Sequence, residues 1–159
     1  MPLPADFDLH RLYAPRSSFV HDVLRIDPEE HVIEAVMHTT DLGALVEDQI
    51  VRPSHPKHVP GAAMIQATGT LGSIHAVYVL GLTADAGWSG FGTHMKEVRF
   101  GALGVIGPDV HLYAKCTRHR KIRGTWFTDY TFRFTQGDKE LYRSLQTAGW
   151  VCKDQSPVD

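Results

Sequence analysis

Between Arg52 and Leu80 the chain reads RPSHPKHVPGAAMIQATGTLGSIHAVYVL, and no other stretch limits the possible folds so strongly. A loop rich in proline and histidine runs into Pro60. After it, Ala62, Ala63, Met64, Ile65, Ala67, Leu71, Ile74, Ala76, Val77, Val79 and Leu80 put apolar side chains on almost every helical face. A helix apolar all round is a buried helix. At about 1.5 Å per residue, roughly twenty residues span about 30 Å, the width of a small domain, so the remainder of the chain must wrap it. Gln66, Thr68, Thr70, Ser73 and His75 interrupt the run too often for a membrane span.

Pro60 suits the first helical position, where its absent N–H costs nothing. The amides from Gly61 onward then leave the helix N-terminus with the positive end of the dipole behind them, an arrangement that accepts an oxyanion. Glycine at 61 lets a ligand approach the backbone closely, although the same residue would serve a plain loop-to-helix turn.

The flanking segments read as strands. Ser18 to Ile26 and His31 to Thr39 are joined by a turn at Asp27-Pro28-Glu29-Glu30, and Ile33, Ala35 and Met37 alternate with Val32, Glu34, Val36 and His38. Thr40 to Val59 is a long connection with a short helix expected at Leu42 to Ile50. Trp88 to Phe100 opens the second half, and a glycine-rich bend covers Gly101 to Pro108. Val110, Leu112, Ala114 and Cys116 form one apolar face of a strand, and Trp126, Thr128, Tyr130, Phe132 and Phe134 form another. Gln136-Gly137-Asp138 turns the chain into a last strand, Glu140 to Cys152. Two strands, one long helix and about four strands describe an α+β domain whose antiparallel sheet wraps the helix. A second copy is the natural cover for the rest of the helix, so a dimer is expected.

Composition narrows the function. A chain of 159 residues is one domain of ordinary size, 1–159, with 1–17 as an N-terminal extension that holds a short helical segment at Phe7 to Tyr13. With 43% hydrophobic residues and a net charge of −2, it is neither disordered nor built to hold nucleic acid. Cys116 and Cys152 lack metal-knuckle spacing and read as buried free thiols in a reducing cytoplasm, with a disulfide between them as the second reading. MPLPADFDLHRLY has no basic start followed by an apolar core, so no secretion signal is expected, and no run reaches membrane length.

This order of elements resembles the hot-dog fold, and the helix entry resembles that of the 3-hydroxyacyl-ACP dehydratases, which carry H-F-P-G-x-P-x-M-P-G-x-x-x-x-E/D. Positions 52 to 66 here read R-P-S-H-P-K-H-V-P-G-A-A-M-I-Q. The segment GFGTHMKEVRFGALGVIGPDVHLYAKCTRHRK resembles the family's later strand, its Gly107-Pro108-Asp109 turn and the strand after it. The string H-P-x-x-H-V-P-G is also similar to the hot-dog domain of A-factor biosynthesis proteins. The likeness runs from about Ser18 to Cys152.

The family's histidine and acid, contributed by opposite subunits, fall at Arg52 and Gln66 when counted from Gly61 without a gap. An amide cannot exchange a proton near neutral pH, so Gln66 can orient a reactant but cannot serve as the acid. A three-residue gap brings His55 into the histidine's role, and a histidine beside a helix N-terminus is held in the neutral form that a base needs. His58 is the second candidate. As an H-x-x-H pair the two lack a third ligand nearby, so no metal is expected.

The resemblance implies an enzyme acting on acyl thioesters carried on the phosphopantetheine of an acyl carrier protein or CoA, with no other cofactor, in polyketide or lipid-derived secondary metabolism. The Gly61 amide would hold the thioester carbonyl, and the acyl chain would lie beside Met64, Ile65 and Leu71. Arg52, Lys57 and His58 would hold the carboxylate of an amino-acid nucleophile such as glycine that adds at C3 of an enoyl group. Hydration or its reversal, thioester hydrolysis with Gln66 orienting water, and a non-catalytic acyl-binding subunit are the alternatives. The basic run Lys115, Arg118, His119, Arg120, Lys121 and Arg123 surrounds a predicted hairpin. Arg118, Arg120 and Lys121 there suit an acidic carrier or a phosphate, or they form a solvated tip.

Overall fold

The computed structural model describes residues 4–153. Two 3-10 turns, Ala5–Leu9 and Pro15–Ser17, precede β1 (Asp22–Asp27) and β2 (Val32–Met37). A single turn of helix, α1 (Ala44–Glu47), and the long helix α2 (Gly61–Tyr78) follow. Then come β3 (Trp88–Phe100), β4 (Val110–Ile122), β5 (Thr125–Gln136) and β6 (Lys139–Cys152). All six strands form one antiparallel sheet in the order β1-β2-β4-β5-β6-β3. The strand that follows the helix therefore crosses to the far edge of the sheet.

Period-two patterning decides which sheet face meets the helix. Val110, Leu112, Ala114 and Cys116 of β4 are buried, as are Thr128, Tyr130, Phe132 and Phe134 of β5, while the residues between them are partly or fully exposed. Ala63, Met64, Ala67, Leu71 and Ile74 of α2 pack into the same cluster. Their spacing of three and four is one helical face. The opposite face of α2 is open in a single chain, with Ala62, Ile65 and Gly69 exposed.

Local chemistry moves several boundaries. Pro60 has extended ψ and caps the helix from outside instead of filling its first turn, and the helix begins at Gly61. Phe19 lies at φ +55°, which breaks the expected strand Ser18 to Ile26 and delays β1 to Asp22. The Asp27 carboxylate accepts the amides of Glu29 and Glu30, which shapes the predicted turn before β2. Arg123 and Gly124, both at positive φ, make the two-residue β4–β5 hairpin turn, the geometry that matches strand twist. The helix expected over Leu42 to Ile50 contracts to α1, entered through Gly43 at φ +56°.

One glycine is dictated by packing. A Cβ on Gly90 would stand 2.1 Å from Cζ3 of Trp150, whose indole is buried and donates to the Thr128 hydroxyl at 2.9 Å. Gly90→Ala is therefore expected to displace the indole and lower stability by about 1–3 kcal/mol. Urea unfolding of the variant measures this directly, and an unchanged midpoint would show that β3 shifts to make room.

The core also holds a chain of polar rings. His75 of α2 is fully buried, with Nδ1 3.0 Å from the Tyr130 hydroxyl and Nε2 3.1 Å from Nδ1 of His31. The His31 ring lies 4.7 Å from that of His119 at the surface. Burial, then the neighbouring His31 and His119, pushes His75 down to about 4 from the ordinary 6.5. Between those values the unfolded chain binds a proton that the folded chain refuses, so stability falls as pH drops from 6.5 towards 4.

His38 acts in the opposite sense. Carboxylates of Asp109 and Asp22, each 3.0 Å away, raise it. Its contribution is complete below the unfolded value and fades as pH climbs through the raised one. Unfolding free energies across pH 4 to 8 should drop by a few kcal/mol on the acid side. His75→Gln should flatten that limb, and an equally steep limb in the variant would assign the acid lability to other groups.

Candidate functional site

A cavity of about 330 Å³ opens between α2, the N-terminal 3-10 segment, the start of β3 and the middle of β5 and β6. Helical spacing puts Ile65, Gln66, Gly69, Gly72 and Ser73 on its wall, one face round from the residues that meet the sheet. Much of the remaining wall is apolar, from Phe7, Leu12, Phe91, Met95, Phe132 and Trp150. Gln146 adds a second amide to that of Gln66. Its Nε2 donates to the Tyr142 and Ser144 hydroxyls, and its Oε1 accepts from Thr68 at 3.1 Å, so its orientation is fixed by the core. Arg11 is the charged residue on the wall, and no carboxylate of the described residues lines it.

The loop before α2 is folded on itself. Arg52 and His55 exchange both backbone hydrogen bonds, at 3.1 and 2.9 Å. The Gln49 side chain brackets His58, accepting from its amide and donating to its carbonyl, while the Val59 amide donates to Gly104. His55 and His58 meet edge to face with ring centres 4.8 Å apart, and His58 Nδ1 lies 3.1 Å from the Pro56 carbonyl. Lys57 donates to the Glu47 carbonyl.

Of the residues singled out from the sequence, Gln66 and Ile65 line the cavity. Arg52, His55 and Lys57 are exposed and His58 is half-buried, all off the cavity wall of their own chain. Met64 and Leu71 correct the expected acyl-chain lining. Both are buried against the sheet, because positions 64, 67, 71 and 74 share the core face while 65, 66, 69 and 73 share the other.

At the helix start the Ala63 and Met64 amides donate back to the Pro60 carbonyl, which leaves the Gly61 and Ala62 amides outside the helix's own bonding. The ring of Phe100 lies directly on Gly61, with Cε1 only 2.7 Å from where a Cβ would stand. A side chain at position 61 would have to push this half-exposed ring aside. Phe100 belongs to β3, the open edge of the sheet, where Phe91, Met95, Val98 and Phe100 are all exposed.

On the hairpin, Arg118 and Arg120 both reach the Asp129 carboxylate, at 2.9 and 3.2 Å. Burial raises its pKa, but the Thr147 hydroxyl, donating at 2.7 Å, and then the two arginines bring it below the usual range. Arg120 also lies over Phe127, and Lys121 over Trp88. An open groove of about 460 Å³ runs beside them, with Lys96 and His94 on its far wall. Among the described residues no group of three or more His, Cys, Asp or Glu is placed to hold a metal ion, both cysteines are free, and no helix is long and apolar enough to cross a membrane.

Sequence reasoning reached Gln66 through its helix motif but missed Arg11, Gln146 and Trp150 on the wall. The four-residue step from Phe7 to Arg11 was the available signal for the first. The other two come from a strand whose pattern says which face is buried, not what stands opposite it.

No protein-family model matches the sequence, and no curated protein matches it. Solved structures do. The dehydratase heterocomplex ApeI:P from Xenorhabdus doucetiae superposes with a TM-score of 0.65 at 14% identity, over 98% of this chain and 95% of that one. A hot-dog-like protein from Thermanaerovibrio acidaminovorans gives 0.59 at 16% identity, covering 81% and 90%. A mutant thioesterase from Pseudomonas aeruginosa gives 0.55 at 15% identity, covering 84% and 81%. One long helix held in a six-stranded antiparallel sheet, shared with these structures over most of their length, gives this chain the hot-dog fold.

Proposed function

We propose that the chain is a homodimeric acyl-thioester enzyme of the dehydratase-like kind, acting at C3 of an enoyl or 3-hydroxyacyl group in a reducing cytoplasm. The observation that carries this reading is the cavity beside the central helix, mostly apolar, with two amides and no carboxylate on its wall. Its substrate would arrive on the phosphopantetheine arm of a carrier protein or of CoA, and no other cofactor is needed. The likeness to a dehydratase and to a thioesterase supports the class of chemistry.

The site is completed across the dimer. The open edge of β3, with Phe91 at 55% and Phe100 at 51% exposure, is the surface a second copy would cover, and it lies between the cavity and the helix entry. Pairing there would bring the histidine loop of one subunit towards the Gln66 wall of the other. His55 would accept a proton from an incoming amine or water as the new bond forms at C3. The displaced double-bond electrons move onto the thioester oxygen, where the Gly61 amide stabilises the enolate. The proton then passes from His55 to C2, and the net change is addition of N–H or O–H across the double bond. Gln66 orients the nucleophile. A wall without an acid suits addition of an amine such as glycine, which expels no water, better than dehydration. Arg52, Lys57 and His58 at the loop would steer its carboxylate.

Hydrolysis of the thioester is the second reading, favoured by the amide at position 66 and the thioesterase neighbour. Incubating the protein with an enoyl thioester, with and without glycine, and following mass separates the readings. A glycine or water adduct supports addition, release of the free acid supports hydrolysis, and an unchanged thioester supports an acyl-binding subunit.

His55→Ala and Gln66→Ala should each lower turnover about 100-fold or more. Mixing the two variants after unfolding and refolding should restore about a quarter of wild-type activity, because half the dimers then carry one intact site of two. No recovery would place both residues in one subunit or remove one of them from the chemistry. Reversing Arg118 and Arg120 to glutamate should raise KM for a carrier-bound substrate and leave a short thioester mimic unaffected. An equal effect on both would mark the hairpin as structural.

A further inference from the structure

The cavity wall contains a charge whose hydrogen-bonding needs the protein leaves unmet. Arg11 sits at the end of the first 3-10 segment, with its side chain only 12% exposed. Its guanidinium lies over the Phe7 ring, 5.3 Å from the centroid, and its Nε donates to the Asp8 carboxylate. Nη1 is different. Among the described residues it is the one buried side-chain nitrogen or oxygen without a hydrogen-bond partner, and it belongs to a residue that lines the cavity.

A buried, unpaired N–H on a charged group is costly, more so than on a neutral one, and native structures rarely leave one without a reason. Asp8 does not remove the problem. Its side chain is 64% exposed, so it answers Nε from the solvent side and does not reach the unpaired nitrogen. No carboxylate of the described residues lines the cavity, and the nearby Asp6 carboxylate is taken up by the Tyr78 hydroxyl, which donates to it at 2.8 Å.

We propose that Arg11 is an anion-binding group of the cavity and takes the carboxylate of a ligand whose apolar body lies against Phe7, Ile65 and Phe91. A planar guanidinium matches a carboxylate's two oxygens, and the resulting charge-assisted bonds are among the strongest available in a dry site. A carboxylate fits better than a phosphate, because a single guanidinium charge already shared with Asp8, in an otherwise uncharged wall, compensates at most one further negative charge and not two. The ligand class is therefore an amphiphile with an apolar chain and one acidic end. This shares the cavity with the proposed acyl-thioester chemistry but needs neither His55 nor the dimer. Binding of a free acid tests it without any turnover.

Calorimetry on the full chain with octanoate, octanamide and octyl phosphate reads the assignment. Octanoate should bind the wild-type protein at least tenfold more tightly than octanamide. Arg11→Gln should abolish that preference while leaving octanamide unchanged, and Arg11→Lys should retain part of it. Asp8→Asn, which removes the outer partner without touching Nη1, should keep the preference and controls for damage to the 3-10 segment. Equal affinity of acid and amide for the wild-type protein, or equal weakening of both by Arg11→Gln, would overturn the proposal. Tighter binding of octyl phosphate than of octanoate would overturn the choice of carboxylate. Loss of turnover in the His55 variant with the octanoate preference intact would separate this site from the reaction.

Discussion

The contact between one face of α2 and the inner face of the sheet sets every other position in the molecule. Ala63, Ala67, Leu71 and Ile74 meet Leu112, Ala114, Phe132 and Phe134, all nearly inaccessible to solvent. Full burial of a leucine or isoleucine is worth about 1.5–3 kcal/mol each, so this seam outweighs any single polar contact described here. The small residues on the helix let it approach the strands, and the large ones fill what remains. Once the seam is fixed, helical geometry has no freedom left: the next face round must carry Ile65, Gln66 and Gly69, and the cavity forms there.

The fold was legible because its signals are periodic. Alternation in β4 and β5 named their buried faces correctly, and an apolar helix preceded by proline announced the centre of the structure. Where reading failed, a backbone detail intervened that side-chain patterns do not encode. Phe19 and His31 both adopt left-handed φ, which shortens β1 and starts β2 late. Phenylalanine is not a type that suggests such a conformation, whereas histidine is among the few non-glycine residues enriched in it.

The site was legible only in part, and for a different reason. Position 66 follows from a motif on the helix. Arg11 and Gln146 reach the same cavity from segments 135 residues apart, brought together by a fold and not by a local pattern. Met64 and Leu71 show the converse error, since apolar residues on a buried helix say that something covers them without saying whether it is protein or ligand. The buried His75 is similar. As a sequence letter it interrupts an apolar helix, whereas in the structure it joins α2 to Tyr130 and His31 and makes the core itself sensitive to protons.

The outer strand β3 is not a plain ribbon. Its pairing with β6 slips between Gly92 and His94 and again between Lys96 and Arg99, and Glu97 between the second pair lies at φ +48°. Each slip adds local twist and re-aims the backbone groups on the free side. A flat strand would accept almost any extended peptide along its rim, whereas a rim broken twice accepts only one shaped to the same two kinks. The irregularities therefore turn away flat, adventitious strands, and that protection is written into backbone geometry and not into side-chain charge.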